Sequence, residues 1–298
     1  MRIIDLTAAA PTLLDYVPVW NVGASTTNKA TFQNVVDLHE LQVKGTHNLV
    51  QLSSPVNNYN SGQYNTLLGT GNTVTGTSKR NLIAGSSNSA TGDDSFVVGT
   101  GNTVTGNRAT AMGSNNVIQA NYAHCIGFNN KAKGTTVIAL GQGSGGKRFA
   151  EKTFAASYFG AHGDAQLGIL NANKVFTSPY SGVVLDLSGF NIDIHTDSVM
   201  GLEVHVLGVQ TAGSPGSAGG HRYSILRGLI KNIGGTVTIH DVAETVVSAS
   251  HSGTWTVTAT ADNTNKLLLI TCTGASGQDI RFTAQIIYTQ IGYNTFAL

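Results

Sequence analysis

One octapeptide, GTGNTVTG, occurs twice in this chain of 298 residues, at 69–76 and again at 99–106. It belongs to a longer series of glycines, which are separated by 16 residues in the first step and by 14 in every later step. The glycines of the series are Gly69, Gly85, Gly99, Gly113, Gly127 and Gly141. A sequence that repeats at such a short and regular interval predicts a solenoid of stacked coils.

Other positions recur with the glycines. An apolar pair precedes each one, and asparagine follows each of the first five by three residues, at Asn72, Asn88, Asn102, Asn116 and Asn130. Two residues later comes a small apolar residue: Val74, Ala90, Val104, Ile118 and Ala132. Fourteen residues leave room for two strands of about four residues and two tight turns, so each coil is expected to pair with the next. Gly and Asn are predicted at the corners because both tolerate a left-handed backbone.

The small residues inside each coil predict a thin stack that buries little apolar surface. Further burial is therefore expected from association of several chains about an axis parallel to the stack, most economically as a homotrimer. Residues 45–145 are assigned to this β-roll, and the glycine-rich residues 146–165 to a neck.

The repeat SFVVGTGNTVTGNRATAMGSNNVIQANYAHCIGFNNKAKGTTVIALG resembles the head repeats of YadA-like trimeric autotransporter adhesins. The resemblance covers about residues 63–145 and implies a left-handed parallel β-roll with three chains side by side. We expect no membrane-anchoring barrel to accompany it, and repeats of this kind also occur in phage fibres.

Residues 1–44 lack the repeat and have a different sequence pattern, with an apolar run at 16–20 and a short helix predicted near 31–41. They resemble the N-terminal segment of phage tail-fibre and structural proteins. That resemblance implies attachment to another virion protein, with Asp15, Tyr16 and Trp20 as candidate contacts. A cap that closes the first coil is the structural alternative.

Residues 166–298 contain seven segments with the alternation of antiparallel strands, separated by turn clusters, which predicts a β-sandwich or jelly roll. This part resembles the C-terminal domain of phage tail-fibre and tailspike-like proteins. The resemblance is carried by Gly163–Gln166, Trp255, Val257, Asn265, Leu267, Leu269, Thr273, Gly274, Gly277, Ile280 and Arg281.

Composition narrows the function. Charged residues make up 11% of the chain and the formal net charge is +1, so no nucleic-acid partner is predicted. No apolar run approaches the roughly 18 residues of a membrane span, so no membrane insertion is expected. The start MRIIDLTAAA lacks the pattern of a signal peptide, which favours synthesis in a host cytoplasm. The two cysteines, Cys125 and Cys272, are expected to be buried free thiols.

Three sequence features suggest a chemical site, namely a phosphate-binding loop, a pair of catalytic carboxylates and a metal site, but each also has a structural explanation. The segment VIALGQGSGGKR approaches a phosphate-binding loop, but Arg148 stands where a hydroxyl is needed. Carboxylate pairs of a glycosidase are sought at Asp93-Asp94, Asp193 with Asp197, and Asp241 with Glu244. His195 and His205 are the candidate metal ligands, without a ligand spacing. No cofactor, no metal and no enzymatic activity are predicted.

Binding is favoured over catalysis, because long loops at one end of a sandwich carry recognition on a rigid scaffold. The loop 210–220 and the following His221, Arg222 and Tyr223 are the predicted receptor-binding residues, with a host glycan or protein as partner. We therefore predict a homotrimeric virion fibre of a tailed phage that attaches to the host surface by multivalent, non-catalytic binding. The alternatives are a decoration fibre without a receptor and a polysaccharide-depolymerising spike.

Overall fold

The computed structural model describes residues 16–19, 28–31, 41–44, 48–51, 58–59, 62–177 and 182–293. Within these residues all regular structure is strand, and no helix is long and apolar enough to cross a membrane. The predicted N-terminal helix lies outside them, except that Thr31 and Leu41 belong to strands. Of the predicted attachment residues, Asp15 and Trp20 also lie outside, and Tyr16 begins a two-stranded antiparallel pair.

The strands before the C-terminal region are short. They are β1 (Tyr16–Val19), β2 (Asn28–Thr31), β3 (Leu41–Lys44), β4 (Asn48–Gln51), β5 (Asn58–Tyr59), β6 (Thr66–Thr70), β7 (Thr73–Val74), β8 (Leu82–Ser86), β9 (Ser89–Ala90), β10 (Phe96–Thr100), β11 (Thr103–Val104), β12 (Thr110–Ser114), β13 (Val117–Ile118), β14 (His124–Phe128), β15 (Lys131–Ala132), β16 (Ile138–Gln142), β17 (Gly145–Gly146) and β18 (Lys152–Ala155).

The repeat forms a β-solenoid of about seven turns. In each coil a strand of five residues is followed by a strand of two, and both pair in parallel with the equivalent strands of the neighbouring coils. The glycines of the series pair with one another in register, for example Gly99 with Gly113. At Gly99 the φ angle is +124°, and an added Cβ would lie 1.8 Å from the carbonyl oxygen of Gly113. Backbone conformation and close stacking both require glycine there.

The asparagines recur for a reason other than the one the sequence suggested. They are buried, and their side chains form a ladder that runs along the stack. Asn102 Oδ1 accepts hydrogen bonds from the backbone N–H and the side-chain amide of Asn116, both at 3.0 Å. Its own amide donates to Asn88 Oδ1 at 3.0 Å and to the Gly113 carbonyl at 2.9 Å. The left-handed corner positions belong to other residues, such as Arg108, with φ +54°.

The core of the solenoid consists of the first residue of each apolar pair together with the small apolar residues of the short strands. Ile83, Val97, Ala111 and Cys125 are fully buried. The second residue of each pair faces outward, and this row is partly exposed. The stack continues through β18 into the segment predicted as a neck, because β18 pairs in parallel with β16.

The C-terminal region contains long strands. They are β19 (Ala165–Thr177), β20 (Val183–Val184), β21 (Ile192–Asp193), β22 (Ser198–Gly213), β23 (His221–Ile233), β24 (Thr236–Ser250), β25 (Thr256–Asp262), β26 (Leu267–Thr273) and β27 (Gln278–Gly292). β19 pairs antiparallel with β18, so the sheet of long solenoid strands continues through β19, β27, β22 and β23 to β24. A second sheet consists of β20, β21, β25 and β26. Both sheets contribute to one hydrophobic core, which contains Val204, Trp255, Ile270, Phe282 and Ile286.

Candidate functional site

Three loops meet at one end of the C-terminal region. They connect β22 to β23, β24 to β25, and β26 to β27. The buried Gln278 joins them, since its Nε2 donates to the carbonyl oxygens of Pro215 (2.6 Å) and Ser252 (2.9 Å). Its Oε1 accepts from Trp255 Nε1 at 2.7 Å and from Ala275 N at 2.9 Å. A side chain that satisfies four partners on three loops fixes their relative positions.

A second buried glutamine extends this arrangement. Gln210 Oε1 accepts from Gln278 Nε2 at 3.2 Å. Its own Nε2 donates to the carbonyl oxygen of Gly213, the last residue of β22, at 3.0 Å, and to that of Pro215, in the first of the three loops, at 3.2 Å. The loop 214–220 is exposed along most of its length, yet its backbone is hydrogen-bonded to the two buried glutamines through the Pro215 carbonyl. Exposure combined with such support is what a recognition surface requires.

The loops surround a shallow depression of about 420 Å³, which we call the loop-end depression. It is lined by Gln210, Gly216, Ser217, Ala218, Gly219, Gly220, Ser250, His251 and Ser252. Serine hydroxyls, backbone groups and one imidazole therefore form a polar lining without a charged carboxylate, ammonium or guanidinium group. The imidazole of His251 stacks on the ring of Trp255, with centroids 4.5 Å apart and planes 9° from parallel.

The three predicted receptor-binding residues do not share one surface. They are consecutive on β23, so that His221 and Tyr223 point to one face of the sheet and Arg222 to the other. His221 adjoins the loop-end depression, with its Nδ1 3.3 Å from the Gly219 carbonyl. Arg222 is bound to Glu244 at 2.8 Å.

A polar line lies on the exposed face of the same sheet. Tyr223 Oη is 2.7 Å from His205 Nδ1, and His205 Nε2 is 2.7 Å from Glu203 Oε1. Arg227 Nε donates to Glu203 Oε2 at 2.7 Å. Hydrogen bonds from Arg227 and His205 hold the pKa of the Glu203 carboxyl below its usual value. The sequence did not indicate this line, because its members come from two strands paired only in the fold.

The candidate metal ligands serve other contacts. His205 belongs to the polar line just described. His195 is buried, and burial, together with the charge of Arg148, holds its pKa well below the usual value. Across the described part of the chain, no group of three or more His, Cys, Asp or Glu residues is arranged to hold a metal ion.

Three of the candidate carboxylates, Asp94, Asp193 and Asp197, also have structural partners. Arg80 Nη2 donates to Asp94 at 2.9 Å, and this hydrogen bonding lowers the pKa of Asp94. Asp193 is 3.8 Å from the Lys147 ammonium, and Asp197 Oδ1 accepts from the Gly234 backbone at 3.0 Å. An acid that protonates a leaving group needs a raised pKa, which a stable ion pair opposes.

The phosphate-loop resemblance is explained by an internal carboxylate. Gly145 and Gly146 form β17, the last short strand of the solenoid. The backbone N–H groups of Lys147 and Arg148 donate to Glu151 Oε2 at 2.8 and 3.1 Å. Because Glu151 is fully buried, its carboxylate occupies the position that an external anion would need.

The motif Gly163–Gln166 joins the two regions. Asp164 accepts three backbone N–H groups of the loop before it, those of Phe159 (2.8 Å), Gly160 (2.6 Å) and Ala161 (2.7 Å). The Gln166 amide exchanges two hydrogen bonds with the backbone of Gly145, at 2.9 and 2.8 Å. The motif thus closes the last coil and begins the first long strand.

Comparison with known proteins yields solved structures of phage tailspikes. The tailspike of Acinetobacter baumannii phage AM24 is similar over 84% of this chain and 53% of its own length, with 11% identity and a TM-score of 0.28. The tailspike of Acinetobacter baumannii phage Fri1, described as a capsular polysaccharide depolymerase, is similar over 78% and 52%, with 10% identity and a TM-score of 0.26. The chain thus spans about half the length of either structure.

No protein-family model and no curated protein matches the chain. The sequence was interpreted as that of a protein without enzymatic activity, and the depolymerase among the similar structures overturns that prediction.

Proposed function

We propose that the chain is a virion fibre or spike protein of a tailed phage that attaches to a glycan on the host cell surface through its loop-end depression. The observation that carries the proposal is the set of three loops fixed on buried glutamines around an exposed polar depression. The sequence resemblance to phage fibres and the similarity to tailspikes agree with it.

In this proposal each region of the chain has its own role. Residues 1–44 bind another virion protein, with Asp15, Tyr16 and Trp20 as candidate contacts. Residues 45–145 form a YadA-like roll, and the short neck 146–165 continues its stack through β18 before the long strands begin. Residues 166–298 form a fibre-type β-sandwich, an assignment supported by the common core of their two sheets. His221 belongs to the receptor-binding surface. The partner of that surface is a glycan or a protein on the host cell.

The proposed assembly is a homotrimer. The supporting observation is an apolar row on the outer face of the long-strand sheet, which continues from coil to coil in register. Its members are Leu68, Ala84, Val98, Met112, Ile126, Leu140, Phe154 and Leu167. Ile126 and Leu167 are 43% and 41% exposed in a single chain. A continuous apolar row of this length marks an interface. A second copy of the chain in parallel orientation carries the same row with the same spacing from coil to coil, so it can cover the row along its length.

Light scattering tests the assembly. We expect a particle about three times the 31.0 kDa chain mass. The variant Ile126→Asp should dissociate it, whereas Thr103→Asp, at an exposed position on the sheet of short strands, should not. A monomeric wild-type chain would refute the trimer.

Adsorption tests the function. The purified protein is expected to bind host cells and to slow adsorption of the phage that carries it. A protein that does neither would favour the structural alternative, a decoration fibre without a receptor. The second candidate function is that of a depolymerase, which the description of the Fri1 tailspike suggests. Release of oligosaccharide from purified host capsule would establish it.

A further inference from the structure

We infer that the loop-end depression binds an uncharged saccharide unit rather than an acidic one. This inference rests on the proposed function and specifies the ligand of the same site. It depends on three features of the described residues: the hydrogen-bonding groups of the lining, their lack of charge, and their support from below.

The lining offers the hydrogen-bonding groups that sugar hydroxyls need. Ser217, Ser250 and Ser252 are exposed, and each hydroxyl both donates and accepts. His251 Nδ1 is 3.2 Å from the Gly253 carbonyl, which can only accept, so Nδ1 carries the proton of the neutral ring. Nε2 is then an acceptor, and it makes no hydrogen bond within the described part of the chain. It is available to accept a hydrogen bond from a sugar hydroxyl.

The charge of the surroundings selects against an acidic sugar. Carboxylate and phosphate groups are recognised by arginine and lysine, and the depression is lined by neither. The nearest arginine along the chain is Arg222, two residues after the lining residue Gly220. This guanidinium is already bound to Glu244 at 2.8 Å and to Ser224 Oγ at 3.1 Å. An acidic saccharide would therefore lose its hydration without gaining a cation.

The support from below reduces the cost of binding. Gln278 and Gln210 hold the three loops, and Trp255 fixes the ring of His251 by stacking. Because the loops are ordered before a ligand arrives, little conformational entropy remains to be lost. Glycines at 216, 219 and 220 keep the floor open to a bulky ring.

A glycan array of uncharged hexose and N-acetylhexosamine oligosaccharides, together with uronate- and sialate-containing ones, tests the inference. Wild type should bind uncharged members. Ser252→Tyr fills the depression, and His251→Phe keeps the stacked ring but removes the Nε2 acceptor. His251→Phe should weaken binding about tenfold, the equivalent of one lost hydrogen bond, and Ser252→Tyr should weaken it at least as much by steric exclusion. Thr264→Tyr, at the other end of β25, is the matched control and should leave binding unchanged.

Binding confined to acidic members, or binding that Ser252→Tyr leaves intact, would overturn the inference. So would a wild-type protein that blocks phage adsorption but binds no saccharide, a result that leaves the proposed host attachment in place. If the protein neither binds host cells nor blocks adsorption, the proposed function fails as well. A circular dichroism spectrum like that of wild type confirms that each variant is folded.

Discussion

The asparagine ladder of the solenoid leads to a quantitative prediction. Asn102 lies in the middle of the stack and is fully buried. In Asn102→Ala the backbone N–H and the side-chain amide of Asn116 both lose Asn102 Oδ1 as an acceptor, and both of these contacts are buried. Each buried group left without a hydrogen bond costs about 1–3 kcal/mol. The substitution should therefore destabilise the surrounding coils by about 2–6 kcal/mol.

Asn107 provides a matched control, because its Oδ1 also accepts a backbone N–H from the neighbouring coil, that of Asp93, at 2.8 Å. This contact is exposed, so water can replace the lost acceptor in Asn107→Ala. We expect a loss below about 1 kcal/mol for the control. The comparison separates the burial of the ladder from the simple removal of an amide.

Hydrogen exchange followed by mass spectrometry measures the effect locally, which suits a chain whose regions need not unfold together. Peptides that contain residues 103–117 should exchange about 30-fold faster or more in Asn102→Ala, corresponding to at least 2 kcal/mol. If Asn102→Ala and Asn107→Ala accelerate exchange equally, the ladder does not stabilise the stack and the reasoning is refuted.

Three further outcomes are expected. Gly99→Ala should prevent folding of the stack, because its Cβ would overlap the next coil. In Gly76→Ala the Cβ meets no atom within 4 Å, so this variant should lose only about 1–2 kcal/mol of stability for its left-handed backbone. Thermal melts should show this contrast. Glu151→Gln removes the buried carboxylate that pairs with the Arg148 guanidinium and should lower stability by about 3–5 kcal/mol in calorimetry; an unchanged melting temperature would contradict this. Burial raises the pKa of Cys125 and of Cys272 to about 12, so a thiol reagent at pH 8 should label neither in the native protein and both after denaturation.

The sequence predicted much of the fold because the repeat fixes the spacing of its coils. It could not reveal why a position recurs. Asn102 and Gly99 both recur, but one is kept for its side chain and the other for its backbone. The strand β19 was not predicted, because its polar Asn and Lys residues weaken the apolar alternation in Ala165–Thr177. The two glutamines of the candidate site are 68 residues apart, so no local motif connects them.

Buried polar groups connect the C-terminal region to the stack. Gln166 closes the last coil, and Arg148 donates through Nε to the Asp193 carbonyl at 2.6 Å in the C-terminal region. Since β18 also pairs with β19, the two regions share one continuous sheet. In a trimer held by the apolar row, three loop-end depressions would keep fixed separations. Fixed separations raise the effective concentration for a second contact on a repetitive surface glycan, so weak individual sites suffice for firm attachment.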